Sequence, residues 1–510
     1  MYFALKVICT LAPLFSTSLP AQSQTILLTP KPGPAPRING PLLYGCRPGH
    51  PFLYLIPTQG QRPIQFSAKK LPATLRLDRQ TGLITGTAPN RGSYQATLFA
   101  KNQYGKTKRL FKIVSGDTLA LTPPMGWNHW YAHYDRITDR LIREAADSVI
   151  QNGMADVGYQ YINIDDCWMN AEKNRDPLRV GPLRDADGRL QPNQHFPDMK
   201  ALTDYIHRKG LKAGIYSSPG PTTCAGFCGS YDHEAQDAKQ FADWGFDFLK
   251  YDWCSYDQVV KRVRTIENLQ KPYRQMGALL RQQDRDMVLN LCQYGMGNVW
   301  EWGAQVGGHS WRTAGDLGYE LNRIFQVAIK NAKHRAWNKP GSWNDPDYIQ
   351  IGYVGNARTA GEPEPCPFTA EEQYAFMSLW SLMASPLFYS GDLNKMDELT
   401  LNVLCNPEVI EINQDPLGVC ARVDSLSPDT FLMVKEMADG STAIGLCNSG
   451  EQPAQITAGW PQCGLKGKKI VRDVWRHRDL GLFDTSLTLT VPRHGVVLVR
   501  VWDAGKKRIL

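Results

Sequence analysis

Beyond residue 25, no stretch of this 510-residue chain approaches the roughly 20 consecutive apolar residues needed to cross a bilayer, so no membrane span is expected in the mature protein. Basic runs are also scarce. The 57 Lys and Arg outnumber the 49 Asp and Glu by only 8, and the densest basic triplet, Lys506-Lys507-Arg508, is a terminal scrap. No nucleic-acid partner is expected from so mild and dispersed a charge. A His-Glu-x-x-His pair and a phosphate-binding Gly-Lys-Ser/Thr loop are both missing, and Cys224 and Cys228 have no matching second cysteine pair. His129 and His133 stand four apart beside a strand end with no Glu between them, so neither metal nor cofactor is expected. What is present is ordinary for a globular protein, 42% hydrophobic and 10% aromatic residues, which excludes a mostly disordered or collagen-like chain. The length suggests about three domains.

The first residues differ from the rest. Met1 to Gln24 carry Lys6, then an apolar stretch over 7–15, then Ser16, Thr17, Ser18 and Ala21, which is a secretory signal pattern with cleavage expected near 21–23. Leu5-Lys6-Val7-Ile8 is a poor lead-in for a lipid-anchored Cys9, so export to the periplasm or the exterior is the expectation. Of 12 cysteines, Cys9 falls in this leader, and the odd number remaining requires a free thiol or an intermolecular bond.

Four segments follow from the pattern: a leader over 1–23, a β-sandwich over 24–117, a (β/α)8 barrel over 118–416 and an antiparallel β domain over 417–510. Pro30, Pro32, Pro34 and Pro36 mark an extended arm. Short alternating strands at 52–54, 74–77, 83–86, 94–100 and 110–114, separated by turn residues, have the spacing of a sandwich. The run Leu71-Pro72, Leu77-Asp78, Thr81-Gly82, Gly86-Thr87 and Gly92-Ser93-Tyr94 resembles the immunoglobulin-like modules attached to secreted glycosidases. Between 120 and 415, strand candidates at 125–127, 161–164, 212–216, 246–251, 288–292, 310–313, 348–351 and 387–389 alternate with helical patterns. One helix shows Met199, Leu202 and Ile206 on one face and stops at Gly210; another is capped by Thr138. Eight such units fit a closed barrel better than an open sheet. The text turns back to β at 431–434, 441–447, 487–491 and 496–501.

Carboxylates fall at the ends of the barrel strands: Asp165-Asp166 after the second, Asp252 after the fourth, Asp316 after the sixth, Asp345 and Asp347 just ahead of the seventh, and Asp392 after the eighth. In a barrel those ends open on one face, so groups far apart in sequence converge. Trp127, Trp130, Trp168, Tyr216, Trp253, Tyr294 and Trp311 lie nearby, and rings beside carboxylates and cations suit a sugar, whose C–H faces stack while its hydroxyls are forked. Two carboxylates without a metal point to glycoside hydrolysis.

The segments Thr122-Pro123-Pro124-Met125-Gly126-Trp127-Asn128-His129-Trp130, Ile164-Asp165-Asp166-Cys167-Trp168, Leu249-Lys250-Tyr251-Asp252, Trp311-Arg312-Thr313-Ala314-Gly315-Asp316, Trp343-Asn344-Asp345-Pro346-Asp347 and Asn413-Gln414-Asp415-Pro416-Leu417-Gly418 resemble glycoside hydrolase family 27, over residues 120–510. That family contains α-galactosidases and α-N-acetylgalactosaminidases, so the resemblance implies a retaining hydrolase, with terminal α-D-galactosyl residues of oligo- or polysaccharides the substrate favoured by Asp165, Gln293 and Tyr294. It implies Asp252 as nucleophile and Asp316 as acid/base; Asp165, Asp166, Lys250 and Arg312 on the sugar hydroxyls; Trp130 and Tyr216 as walls; and a Cys224–Cys254 bridge. The partner the family provides for Cys167 is missing from 131–135, so Cys167 is expected to be a free thiol. Lys250, two residues before Asp252 on a strand, shares its face and favours the ionised nucleophile. Asp316 should hold a proton until the glycosidic oxygen leaves, with the two carboxyls about 5–5.5 Å apart.

One segment departs from the family. Where α-galactosidases usually show Cys-Glu-Trp, this chain has Cys292-Gln293-Tyr294. Gln293 and Tyr294 are expected to face the 2-position and to leave no room for an acetamido group, which disfavours an α-N-acetylgalactosaminidase. Asp165 keeps the short acid that β-L-arabinopyranosidases of the family lengthen. A non-catalytic carbohydrate-binding protein on the same scaffold is disfavoured by the retention of both Asp252 and Asp316.

Overall fold

The computed structural model describes residues 27–355 and 361–505; the expected leader over 1–23, Cys9 and the triplet at 506–508 lie outside them. Eight strands build the central sheet: β1 (Met125–Asn128), β2 (Tyr161–Asn163), β3 (Lys212–Ser217), β4 (Phe248–Asp252), β5 (Val288–Cys292), β6 (Ser310–Arg312), β7 (Trp343–Asp345) and β8 (Leu387–Tyr389). All the pairings are parallel. Each strand from β1 to β7 lies beside the next and β8 returns to β1. A parallel bridge between Ile349 and Tyr389 spans the remaining seam. The strands are buried on both faces, as they must be with helices outside and side chains filling the interior, so they read as nearly continuous apolar runs.

The helices follow the local rules. Helix Asp139–Gln151 starts at Thr138, whose side chain accepts from the Leu141 N–H, and buries Ala145 and Val149. Helix Met199–Arg208 buries Met199, Leu202 and Ile206, and the chain leaves it through Gly210 at φ +80°. The seventh strand differs from the expectation. It is Trp343–Asp345, and 348–351 lies beyond it, where only Ile349 makes a sheet-like bridge. The polar Asn344 and Asp345 hide a three-residue strand, while Tyr348, Ile349 and Ile351 are apolar because they are packed in the interior. As a result, Asp345 ends a strand and Asp347 follows two residues later, instead of both preceding one.

The N-terminal module pairs a four-stranded sheet (43–46, 105–115, 92–102, 65–69) with a three-stranded one (51–55, 83–87, 75–77) around Phe52, Tyr54, Ile84, Leu98 and Phe111. It docks at the N-terminal ends of the barrel strands. Lys212, first residue of β3, donates from Nζ to the Tyr44 hydroxyl at 2.7 Å, and Arg47 Nε meets Asp286 Oδ1, just before β5, at 2.8 Å. At the far end of the chain, a six-stranded antiparallel sheet and a two-stranded ribbon form the last unit. It packs on helix Ala370–Leu382, which is buried nearly all round because both neighbours cover it, and Trp475 Nε1 donates to Ser378 Oγ at 2.8 Å.

Candidate active site

The C-terminal strand ends gather the expected carboxylates on the face opposite the N-terminal module. Asp165, just past β2, is fully buried. Its Oδ2 accepts from Lys250 Nζ at 2.8 Å, Asn128 Nδ2 at 2.8 Å and the Tyr348 hydroxyl at 3.3 Å. Burial works against its charge, but the Lys250 ammonium and the Asp166 N–H, which donates to its Oδ1 at 3.0 Å, outweigh burial and hold its carboxyl below the ordinary range. His129 Nδ1 accepts from the Asp165 N–H at 2.9 Å, and burial pushes the imidazole down to about 3, so the ring is neutral. Asp166 accepts from the N–H of Cys167 at 2.7 Å and of Ala225 at 2.9 Å, which ties the loop after β3 to β2; burial raises its carboxyl to about 7.

Asp252 ends β4 on the floor of the site. The Tyr294 hydroxyl donates to its Oδ1 at 2.8 Å and the Tyr216 hydroxyl to its Oδ2 at 3.1 Å. Burial raises its pKa, and Lys250 and the Tyr294 hydroxyl oppose that rise. Lys250 lies between the rings of Tyr216 and Tyr348, 5.2 Å from each centroid. Beside the carboxylate, Cys224 and Cys254 form a disulfide. Cys254 Sγ is 3.1 Å from the Tyr216 hydroxyl, and Cys224 Sγ is 3.8 Å from that of Tyr294. Cys167 is a free, buried thiol.

Asp316 lies beyond β6, its side chain 36% exposed, and Arg312 Nη2 meets its Oδ1 at 3.3 Å and Asp347 Oδ2 at 3.1 Å. Asp347 also accepts from the Tyr131 hydroxyl at 2.7 Å and the Leu317 N–H at 2.9 Å. Trp130 stands half-buried at the mouth, its ring 4.7 Å from that of Tyr134. Trp127, Trp168, Trp253 and Trp311 are buried wall or core residues. Asp165, Asp166, Asp252, Asp316, Asp345 and Asp347 outnumber the cations Lys250 and Arg312, so the cluster has reason to keep protons; burial raises Asp345 and Asp347 as well.

Gln293 needs a correction. It was expected at the sugar but is fully buried, with its Nε2 donating to the Met296 carbonyl at 2.9 Å and its Oε1 accepting from the Met296 N–H at 2.6 Å. Both ends of the amide are spent within its own loop. In the sequence reading Asp347 stands ahead of a strand with no role assigned, and none is assigned to Asn128, Tyr131 and Tyr348. The signal for Asp347 was its position in Trp343-Asn344-Asp345-Pro346-Asp347, obscured by the misplaced seventh strand. Non-glycine residues in left-handed backbone geometry recur around the site: Tyr134 (φ +48°), Cys167 (+79°), Cys254 (+34°), Tyr294 (+65°) and Asp347 (+123°). Such strain is costly and is tolerated where the surroundings fix a side chain's aim.

Residues 122–415 match the alpha galactosidase A family, 429–501 the alpha galactosidase C-terminal beta sandwich domain, and 35–116 an Ig domain. The chain is 36% identical to alpha-galactosidase 2 of Arabidopsis thaliana over 388 residues, 75% of this chain and 90% of that one. It is also 36% identical to alpha-galactosidase A of Cellvibrio japonicus over 409 residues, 76% and 93% of the two chains. A crystal structure from Bacteroides fragilis, described as a candidate alpha-galactosidase, superposes with a TM-score of 0.84 at 37% identity, covering 94% of this chain and 99% of that one.

Proposed function

This chain belongs to glycoside hydrolase family 27, and we propose that it is a retaining exo-α-galactosidase with Asp252 as nucleophile and Asp316 as acid/base. The observation that supports the reading best is the contrast between the two acids. Asp252 is buried and receives a hydroxyl hydrogen bond on each oxygen, as a carboxylate meant to ionise and attack requires. Asp316 is half-open at the mouth, where a leaving group departs and water enters.

The reaction follows from those positions. Asp252 forms a bond to the anomeric carbon as the glycosidic C–O bond breaks, and Asp316 gives its proton to the departing oxygen. Water then attacks the same carbon, Asp316 takes its proton, and the ester bond to Asp252 breaks, which returns both acids to their starting state with net retention. Asp165 and Asp166 accept from sugar hydroxyls. Lys250 and Arg312 donate to them, and Trp130 and Tyr216 supply walls. The shortness of Asp165 and the Tyr294 ring support a galactosyl unit with a free 2-hydroxyl.

Export to the periplasm or the exterior is supported by the leader pattern of 1–24 and by a disulfide that an oxidising compartment preserves. Among the described residues, no helix is long and apolar enough to cross a membrane.

The test combines two measurements. Hydrolysis of p-nitrophenyl α-galactoside, followed by proton NMR, should release the α-anomer first, and Asp252→Asn should lose at least about 10³-fold in kcat. Release of the β-anomer, or appreciable turnover by Asp252→Asn, overturns the assignment. Preference for the α-N-acetylgalactosaminide or the β-L-arabinopyranoside over the α-galactoside overturns the substrate.

A further inference from the structure

We infer that Tyr294, at the point where this chain departs from its family's usual pattern, is a positioning residue that orients the nucleophile and controls its ionisation. The inference rests on Asp252 being that nucleophile. The Tyr294 hydroxyl lies 2.8 Å from Asp252 Oδ1, so it is spent on the carboxylate and not on the sugar. Tyr216 takes the other oxygen, and between them the two phenols fix the plane of the carboxylate. The loop carrying Tyr294 is built to hold that aim. Tyr294 is left-handed at φ +65° and Gly295 follows at +86°, where an added Cβ would lie 2.6 Å from the Thr313 carbonyl. Gln293 locks the same turn through its two bonds to Met296, and the Cys224–Cys254 bridge backs both phenols.

A hydroxyl donating to a carboxylate favours the charged form. Asp252 is faced by Lys250 on its own strand, Asp165 from beyond β2, Tyr216 from β3, Cys292 at the end of β5, Tyr294 just after it, Asp316 from beyond β6 and Tyr273 from helix Ile266–Arg281. Burial and the two acids push toward protonation; Lys250 and the phenols push back. Of the phenols, Tyr294 makes the shorter bond. When the glycosyl ester forms, a charge-assisted bond becomes a bond to an ester oxygen, and it is regained when the ester breaks. Tyr294 therefore helps the carboxylate leave in the second step.

Tyr294→Phe keeps the ring and removes the donor. The acid limb of its kcat/KM profile, which reports the free enzyme, should move up by about half to one pH unit. On p-nitrophenyl α-galactoside, kcat and KM should fall together as the intermediate accumulates. Trifluorotyrosine at 294, a stronger donor of nearly the same shape, should move the limb down and serves where the Phe variant fails to fold. A limb that coincides with that of the unaltered enzyme overturns the inference whatever happens to kcat, because mere loosening would lower kcat without moving the limb. Asp252→Asn separates the two levels, since its retained turnover would remove the nucleophile and leave the Tyr294 result without a target.

Discussion

Lys250 bonds Asp165 at 2.8 Å, although it shares a strand face with Asp252. Lys250 is therefore hydrogen-bonded to Asp165 and acts on Asp252 through its field alone. Removing one partner of a buried pair leaves an uncompensated charge. Lys250→Met should cost about 3–5 kcal/mol in thermal or urea unfolding and reduce kcat/KM on any α-galactoside. The pH dependence has two signs. Asp165 is held below its unfolded value, so its contribution is complete above about pH 4 and is lost as pH falls through the depressed pKa. Lys250 is raised, so its contribution is complete below about pH 10 and is lost as pH climbs through the raised pKa. Both hold through the neutral range, and a Lys250→Met enzyme should show its stability deficit there at full size.

The exposure of Asp316 makes a chemical rescue possible. Asp316→Ala lacks the proton that a poor leaving group needs, but an activated aryl galactoside departs without it. The variant should lose about 10²–10⁴-fold on melibiose and far less on 2,4-dinitrophenyl α-galactoside. Azide, a small anion that needs no general base, should enter the vacated space and yield α-galactosyl azide with retained configuration. Equal losses on the two substrates, with no azide product, would assign the proton transfer to another group.

The disulfide offers a redox test of the same floor. Cys224–Cys254 closes a 30-residue separation, which in the chain-entropy account contributes about 3–4 kcal/mol. Its two sulfurs sit against Tyr216 and Tyr294, so reduction should unsettle the phenols before the barrel opens. Cys224 is exposed, which admits the reductant. Treatment with a dithiol should lower kcat while far-UV circular dichroism stays unchanged, and Cys224→Ala with Cys254→Ala should start from that lowered level and not respond further.

The barrel was legible because its strands, buried on both faces, leave apolar runs of the right length, and because acids and rings recur where those runs end. Asp165, Asp252 and Asp316 stand out that way, while Lys250 and the separate roles of the acids came through the resemblance to the family. The misses have local causes. β7 is three residues with two polar members, so the apolar stretch after it looked more like a strand and hid the position of Asp347. Gln293 carries the right groups for a sugar, but a side chain that turns back to cap its own loop leaves no periodic trace. The pairing of Tyr294 with Asp252 depends on a left-handed backbone that only the folded chain reveals. Which barrel face the sandwich would cover was equally hidden, because Tyr44 and Arg47 are ordinary residues until Lys212 and Asp286 come near.

That docking makes the N-terminal module part of the barrel's stability. Asp286 accepts from Arg47 Nε at 2.8 Å and from the Arg47 N–H at 3.0 Å, and it lies 3.0 Å from His50 Nδ1. Burial opposes its charge, yet His50 and Arg47 hold the carboxyl below its ordinary value. The contribution is thus complete above about pH 4 and is lost as pH falls through the depressed pKa. Arg47→Ala removes the guanidinium from a mostly buried carboxylate, which keeps the backbone N–H of residue 47 and His50, and should cost about 2 kcal/mol in unfolding. Because the contact is at the N-terminal ends of the strands, kcat and KM at moderate temperature should match the parent enzyme. The deficit should shrink on acidification as Asp286 protonates in both proteins. A change in KM for polymeric substrate, with no change in unfolding, would instead make this module a carbohydrate-binding arm.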